Sequence, residues 1–203
     1  RYAASSHPSW EHAMSGSERY TIRQQVLRIF GAGFFIFDAQ GIEVGYCAQK
    51  AFKLKEDLRV YTNRSRETEL FRMRARSIID FGTTYDILTP AGDRIGSLRR
   101  RGMKSMLRDE WEVLNHDEVK VGTLLEDSGS LALLRRLGDV WSTMLPQSMN
   151  LRLDDGTEIA QYRTHFNPFV YRLGISVLAE DDEVDDLVIL GAGCLFAAID
   201  GRS

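Results

Sequence analysis

The chain ends in the stretch DDLVILGAGCLFAAIDGRS, in which every residue from Leu187 to Ile199 is apolar or small and acids stand on both sides. Thirteen helical residues span about 20 Å, whereas a bilayer core is about 30 Å thick and takes about 20 residues to cross. The run is therefore too short for a spanning anchor. It also lacks the polar face that a helix on a dimer surface would keep, because Leu187, Val188, Ile189, Leu190, Leu195, Phe196 and Ile199 cover every direction around the axis. A helix apolar all round is buried all round, so the rest of the chain has to enclose it.

That rest reads as strands. From Tyr20 onward, FFIFDAQGIEVG, YDILTPAGDRIG and WEVLNHDEVKVG share one frame: aromatic, one residue, Ile or Val, a turn, then Val or Ile before a glycine. Phe34, Tyr85 and Trp111 are each answered ten residues later by Val44, Ile95 and Val121. MNLRLDDGTEIA keeps the frame with Met149, Leu151, Gly156 and Ile159, and a weaker copy starts at Leu58. Each unit is a hairpin, with Gly41, Gly92 or Gly156 in the turn, where positive φ is cheap only for glycine. Five hairpins give about ten strands, and TIRQQVLRIF and PFVYRLGISV add to them. A closed sheet of that width cannot be filled by its own side chains, and a central helix is one solution. The expected fold is mainly β, a closed antiparallel barrel of about 10–12 strands around a central apolar C-terminal helix over 185–199. Gly191, Ala192, Gly193, Ala197 and Ala198 would be the thin places where strands come close. Two glycines cost about 1 kcal/mol each in an exposed helix, against an upper figure of roughly 10 to 20 kcal/mol from burying seven large side chains. Burial decides.

Residues 1–18 are small and polar without a period of 2 or 3.6 and are expected to form a flexible N-terminal tail, leaving 19–203 as one domain. His7 and His12 fall in that tail, which offers no rigid frame for a metal. A second helix is expected where Leu131, Leu134, Leu137, Trp141 and Met144 recur after Asp127 and Ser128, with Pro146 stopping it. The formal charge of −3 at pH 7 argues against nucleic acid as a partner. Cys47 and Cys194 are far apart and make neither a disulfide framework nor a metal motif, and no charged-then-apolar leader opens the chain. The expected setting is cytoplasmic, with at most peripheral contact with a membrane.

Repeated hairpins around an apolar C-terminal helix resemble the tubby C-terminal superfamily, which includes the phospholipid scramblases and the plant LURP-one-related proteins. The likeness covers nearly the whole chain from about Tyr20, and Leu190-Gly191-Ala192 is similar to a triplet of the scramblase terminal helix. QKAFKLKEDLRVY and LRRRGMKSMLRDEW look like a bacterial branch of the group. The resemblance implies a tubby-like barrel that binds lipid headgroups or an anionic partner. Scramblase activity is not carried over with the fold, because the chain has no spanning helix.

Motifs of catalysis are missing. GAGFFI puts Ile36 where a dinucleotide fingerprint needs its third glycine, and there is no phosphate loop, nucleophile elbow or H-E-x-x-H. His116 and His165 read as surface or turn residues. No cofactor is expected. The acidic run Glu180, Asp181, Asp182, Glu183, Asp185 and Asp186 makes Asp181 and Asp182 the only calcium candidates, yet it lacks the alternating layout of a calcium loop. It reads better as the acidic first turn of the terminal helix. The basic residues carry more. Arg72, Arg74 and Arg76 alternate with Phe71, Met73 and Ala75, which at period 2 sets three guanidinium groups on one strand face. Arg94, Arg99, Arg100, Arg101, Lys104 and Arg108 follow with no acid among them between Asp93 and Asp109. Arginine forks match phosphate oxygens. Arg72, Arg74, Arg76, Arg99, Arg100, Arg101, Lys104 and Arg108 are therefore the candidates for holding an anionic lipid headgroup, with cross-strand pairing to Glu67, Glu69, Glu110 or Glu112 as the bland alternative. The expected function is a non-enzymatic binding module. A scramblase-like protein and a purely structural or protein-interaction domain are the alternatives.

Overall fold

A computed structural model describes residues 18–25, 33–48, 57–76, 83–101, 110–126, 148–165 and 170–200. Residues 1–17 of the expected N-terminal tail, the helix expected over 131–144, Lys104 and Arg108 lie outside the described residues, while Glu18, the last residue of that tail, is described. Within them the strands are β1 (Tyr20–Gln25), β2 (Gly33–Asp38), β3 (Glu43–Ala48), β4 (Leu58–Tyr61), β5 (Glu69–Ala75), β6 (Thr84–Leu88), β7 (Arg94–Arg100), β8 (Glu110–Asn115), β9 (Lys120–Glu126), β10 (Ser148–Leu153), β11 (Glu158–His165) and β12 (Val170–Val177), followed by a helix, α1 (Asp186–Asp200). Each strand pairs with the next in chain order, and β12 returns to pair antiparallel with β1. The sheet is a closed up-and-down barrel of twelve strands.

The sequence repeat corresponds to a repeated hairpin with a built-in bulge. Ile36 faces Gly45, Ile87 faces Gly96 and Val113 faces Gly122, and one step toward the turn the register slips by one residue. The same slip follows the pairs Val60–Phe71 and Leu151–Ala160. Two residues then oppose one, and the extra residue is Val44, Leu70, Ile95, Val121 or Ile159. Val121 and Ile159 are buried, and Val44, Leu70 and Ile95 pack against the core. The bulge thus gives every hairpin one more apolar side chain for the interior. It also explains the glycine that follows. A Cβ on Gly45 would lie 2.8 Å from Ile36 Cδ1, and one on Gly122 would lie 2.7 Å from the carbonyl oxygen of Arg152.

Gly41, Gly92 and Gly156 have φ of 79°, 101° and 93°, as the turns require. In each, the glycine N–H donates to the carbonyl three residues back. Glu118 occupies the same place in the β8–β9 turn with φ 67°, and Arg66 does so in the longer β4–β5 turn with φ 60°. These two side chains sit in backbone that costs a non-glycine residue on the order of 1–3 kcal/mol.

The terminal run is the core. Every residue of α1 from Val188 to Ala198 is buried, and the helix packs on β1, β6, β7 and β12. The Phe196 ring meets Trp111 and Tyr162 edge-on, with centroids 6.3 and 5.5 Å away. Tyr162 also donates its hydroxyl to the carbonyl oxygen of Ile189 at 2.9 Å. Gly191 and Gly193 are the thin places. A Cβ on the first would come within 2.9 Å of Ile87 on β6, and one on the second would overlap Ile175 on β12.

Candidate functional site

With α1 in the bore, the polar side chains that can meet a partner stand on the outside. On β5, Phe71 and Met73 point inward and are buried, so Arg72 and Arg74 face out, and Arg76 follows just past the strand end. The register brings β4, β6, β7 and β8 alongside. This outer wall joins Arg72, Arg74 and Arg76 to Arg99 and Arg101, and it also holds carboxylates that meet these arginines, while Arg100 stands at the end of β7 opposite the inward Trp111. Arg72 lies 3.6 Å from Glu69 and donates to the carbonyl oxygen of Pro90 at 3.1 Å. Arg74 makes a two-pronged bond to Asp57, both arms 3.2 Å. Arg99 reaches Glu112 at 3.5 Å, and Arg101 reaches Glu110 at 2.9 Å and Glu112 at 3.1 Å. Arg100 is exposed, with its guanidinium 5.8 Å from the Trp111 ring centroid.

The tightest knot lies around Glu118. Arg76 donates to Asp86 at 2.7 Å and to Glu118 at 3.0 Å, while Ser97 donates to Asp86 at 2.6 Å. Arg94 holds the same Glu118 carboxylate and donates to the carbonyl oxygen of His116 at 2.9 Å. Partial burial works to raise the Asp86 carboxyl, but the bonds from Arg76 and Ser97 outweigh it and hold the group below its usual value. Glu118 is held low by the bond from Arg76 and by the charges of Arg76 and Arg94. Arg76 is raised in turn by its bond to Asp86. Glu118 thus combines a left-handed turn backbone with a carboxylate shared by two guanidinium groups.

A second wall, which the sequence reading missed, stands on the other side of the β4 edge of this patch. Cross-strand pairing sets Arg172, Arg23, Phe35, Tyr46 and Tyr61 side by side across β12, β1, β2, β3 and β4. All five alternate with buried neighbours such as Ile22, Phe34, Ile36, Cys47 and Val60, so they face outward. Guanidinium groups lie over the rings. Arg64 is 4.1 Å from the Phe35 centroid, Arg23 is 4.7 Å from that of Phe37, and Arg66 is 5.7 Å from that of Tyr46. Phe35 and Tyr46 also touch, with centroids 5.1 Å apart. Tyr46 can lie down because Gly33 has no Cβ, which would sit 2.7 Å from the ring. Arg172 is taken by Glu18, which also holds His165, and Arg64 lies 3.6 Å from Glu43. Arg23 and Arg66 form no ion pair with a described residue. Only pairing across β1–β4 brings together residues from Arg23 to Arg66, so no local pattern could have signalled the group.

The acidic run at the helix start has local work. Asp181 accepts from the backbone N–H groups of Glu183 and Val184, Asp185 caps α1 by accepting from Leu187 at 2.7 Å, and Asp186 pairs with Arg19 at 2.8 Å. Asp182 is exposed. Among the described residues no three His, Cys, Asp or Glu side chains gather to hold a metal ion. Both cysteines are buried, which pushes the Cys47 thiol up to about 12 and raises Cys194 as well. No helix among the described residues is long and apolar enough to cross a membrane.

Comparison with known proteins agrees with this architecture on one count. No curated protein and no solved structure matches the chain. A family model described as LURP-one-related matches residues 18–191, from just before β1 into α1. A hairpin barrel wrapped on a buried C-terminal helix over that span is consistent with the tubby-like superfamily, and the chain belongs to the LURP-one-related family.

Proposed function

We propose that the barrel is a non-enzymatic binding module whose ligand is a phosphorylated lipid headgroup, met on the wall of β4 to β8 at a cytoplasmic membrane face. Membership of the LURP-one-related family supports a tubby-like binding module. The observation that carries the ligand class is the charge of that wall. Arg59, Arg72, Arg74, Arg76, Arg94, Arg99 and Arg101 gather on this one wall of a chain whose formal charge is −3, held there by Asp57, Glu69, Asp86, Glu110, Glu112 and Glu118. Three consecutive arginines, Arg99 to Arg101, end β7, and Arg99 and Arg101 share Glu110 and Glu112. Lys104 and Arg108 follow in sequence. The carboxylates orient the arginine forks, and a multivalent phosphate competes for their outward N–H groups. Against catalysis stand two thiols raised by burial, a His116 ring beside Asp117 on an exposed turn, and a His165 ring on Glu18.

The test is sedimentation with vesicles. Binding to phosphoinositide-containing vesicles should exceed binding to neutral vesicles and weaken steeply with salt, because exposed charges are screened beyond about 8 Å at physiological ionic strength. Changing Arg99, Arg100 and Arg101 together to Gln removes this arginine cluster without setting new carboxylates against Glu110 and Glu112. Binding should fall at least tenfold while the melting temperature stays nearly unchanged. Wild-type protein that ignores anionic vesicles at low salt would overturn the reading.

A further inference from the structure

We propose that the second wall, on β1 to β4, is a docking surface for an acidic segment of a protein partner. This stands apart from the lipid reading, on different residues. Three guanidinium groups, of Arg23, Arg64 and Arg66, lie over Phe37, Phe35 and Tyr46, and one carboxylate, Glu43, comes near one of them. Among the described residues this charge is left largely uncompensated, which calls for an anionic partner. Arginine laid on an aromatic face keeps the edge N–H groups of its fork open to carboxylates. It is already ordered, so less side-chain freedom is lost on binding. Arg64 and Arg66 are exposed and Phe35, Phe37, Tyr46 and Tyr61 half-buried, the mixture of aromatic anchors and arginine that protein interfaces favour.

Two other anionic partners fit less well. A single-stranded nucleic acid stacks its bases on open aromatic faces, whereas the faces of Phe35, Phe37 and Tyr46 are covered by guanidinium groups. A membrane takes rings that protrude into the interfacial zone, whereas these are half-buried with guanidinium groups over them. A partner strand cannot add to the sheet, because the barrel is closed. Recognition therefore falls to side chains. Arg66 holds a left-handed turn position, at φ 60°, with its guanidinium over Tyr46. A glycine there would relieve the backbone strain.

The experiment uses the full chain and a fluorescein-labelled dodecapeptide alternating Glu and Ser, with a Gln–Ser peptide as neutral control. Anisotropy at low salt should show binding of the Glu–Ser peptide only. The triple change Arg23→Gln, Arg64→Gln and Arg66→Gln should weaken it at least tenfold, and the Gln triple at Arg99, Arg100 and Arg101 should leave it within twofold. Arg66→Gly alone should raise the melting temperature and still weaken binding, which separates recognition from a structural role. No binding of the acidic peptide, equal loss from both triples, or preference for oligo-dT or anionic vesicles over the peptide at this wall would each overturn the proposal.

Discussion

Tyr162 shows how one polar atom sits in an apolar bore. Its ring is 1% exposed, burial raises its hydroxyl pKa, and that hydroxyl donates to the Ile189 carbonyl oxygen at 2.9 Å. A carbonyl has two lone pairs, so the bond adds to the one the helix already makes. Tyr162→Phe should cost about 0.5–1.5 kcal/mol, read as a lower urea midpoint with an unchanged slope, because the acceptor keeps its helical partner. A loss several times larger would show that the hydroxyl sets the position of α1. The same scale holds what the sequence hides. Glu118 and Arg66 take the left-handed turn positions that Gly41, Gly92 and Gly156 fill elsewhere, and neither residue type announces that backbone.

Among elements, α1 is where two rules oppose each other. Alanine is a better helix former than glycine by about 1 kcal/mol, yet Gly193 faces Ile175 and Ile22 with no room for a methyl group. Overpacking a tight core costs about 1–3 kcal/mol, so Gly193→Ala should lower stability in chemical denaturation despite its propensity. A more stable variant would show that α1 can slide in the bore. The helix and the hairpins were legible in the sequence because each carries its own period, apolar all round for one and aromatic-x-Ile/Val with a turn glycine for the others. The bulge at each hairpin was not. It appears only when Ile36 is seen opposite Gly45 and Phe37 opposite Glu43, with Val44 left over.

For the whole molecule, the arginines of β5 were readable as an outward row, but their partners were not. Asp86 and Glu118 are 10 and 42 residues from Arg76 along the chain, and the side-by-side pairing of β5 to β8 brings them to it. The result is a pH dependence. Asp86, Glu118 and Glu18 are all held below their ordinary values. Below the unfolded values of 3.8 for Asp and 4.5 for Glu, the unfolded chain takes up protons that the folded barrel still refuses. Their contribution is present above about pH 5 and is lost as pH falls through the depressed range. Melting temperature should hold steady from pH 7 to about 5 and then drop. Asp86→Asn should flatten that drop, and an unaltered acid limb in the variant would remove Asp86 from the cause.

The seam between β1 and β12 sets a further condition, on time rather than energy. Tyr20 lies opposite Ile175, 155 positions later, while the hairpins pair residues close by in the chain. Local pairings form on the order of microseconds, but contacts this distant are the slow ones. Until the seam zips, β1 and β12 are open edges and the inner face has no α1 to cover it, which is the combination that invites strands from other molecules. A nascent chain is therefore at greatest risk of aggregation after its hairpins exist and before its last helix is in place.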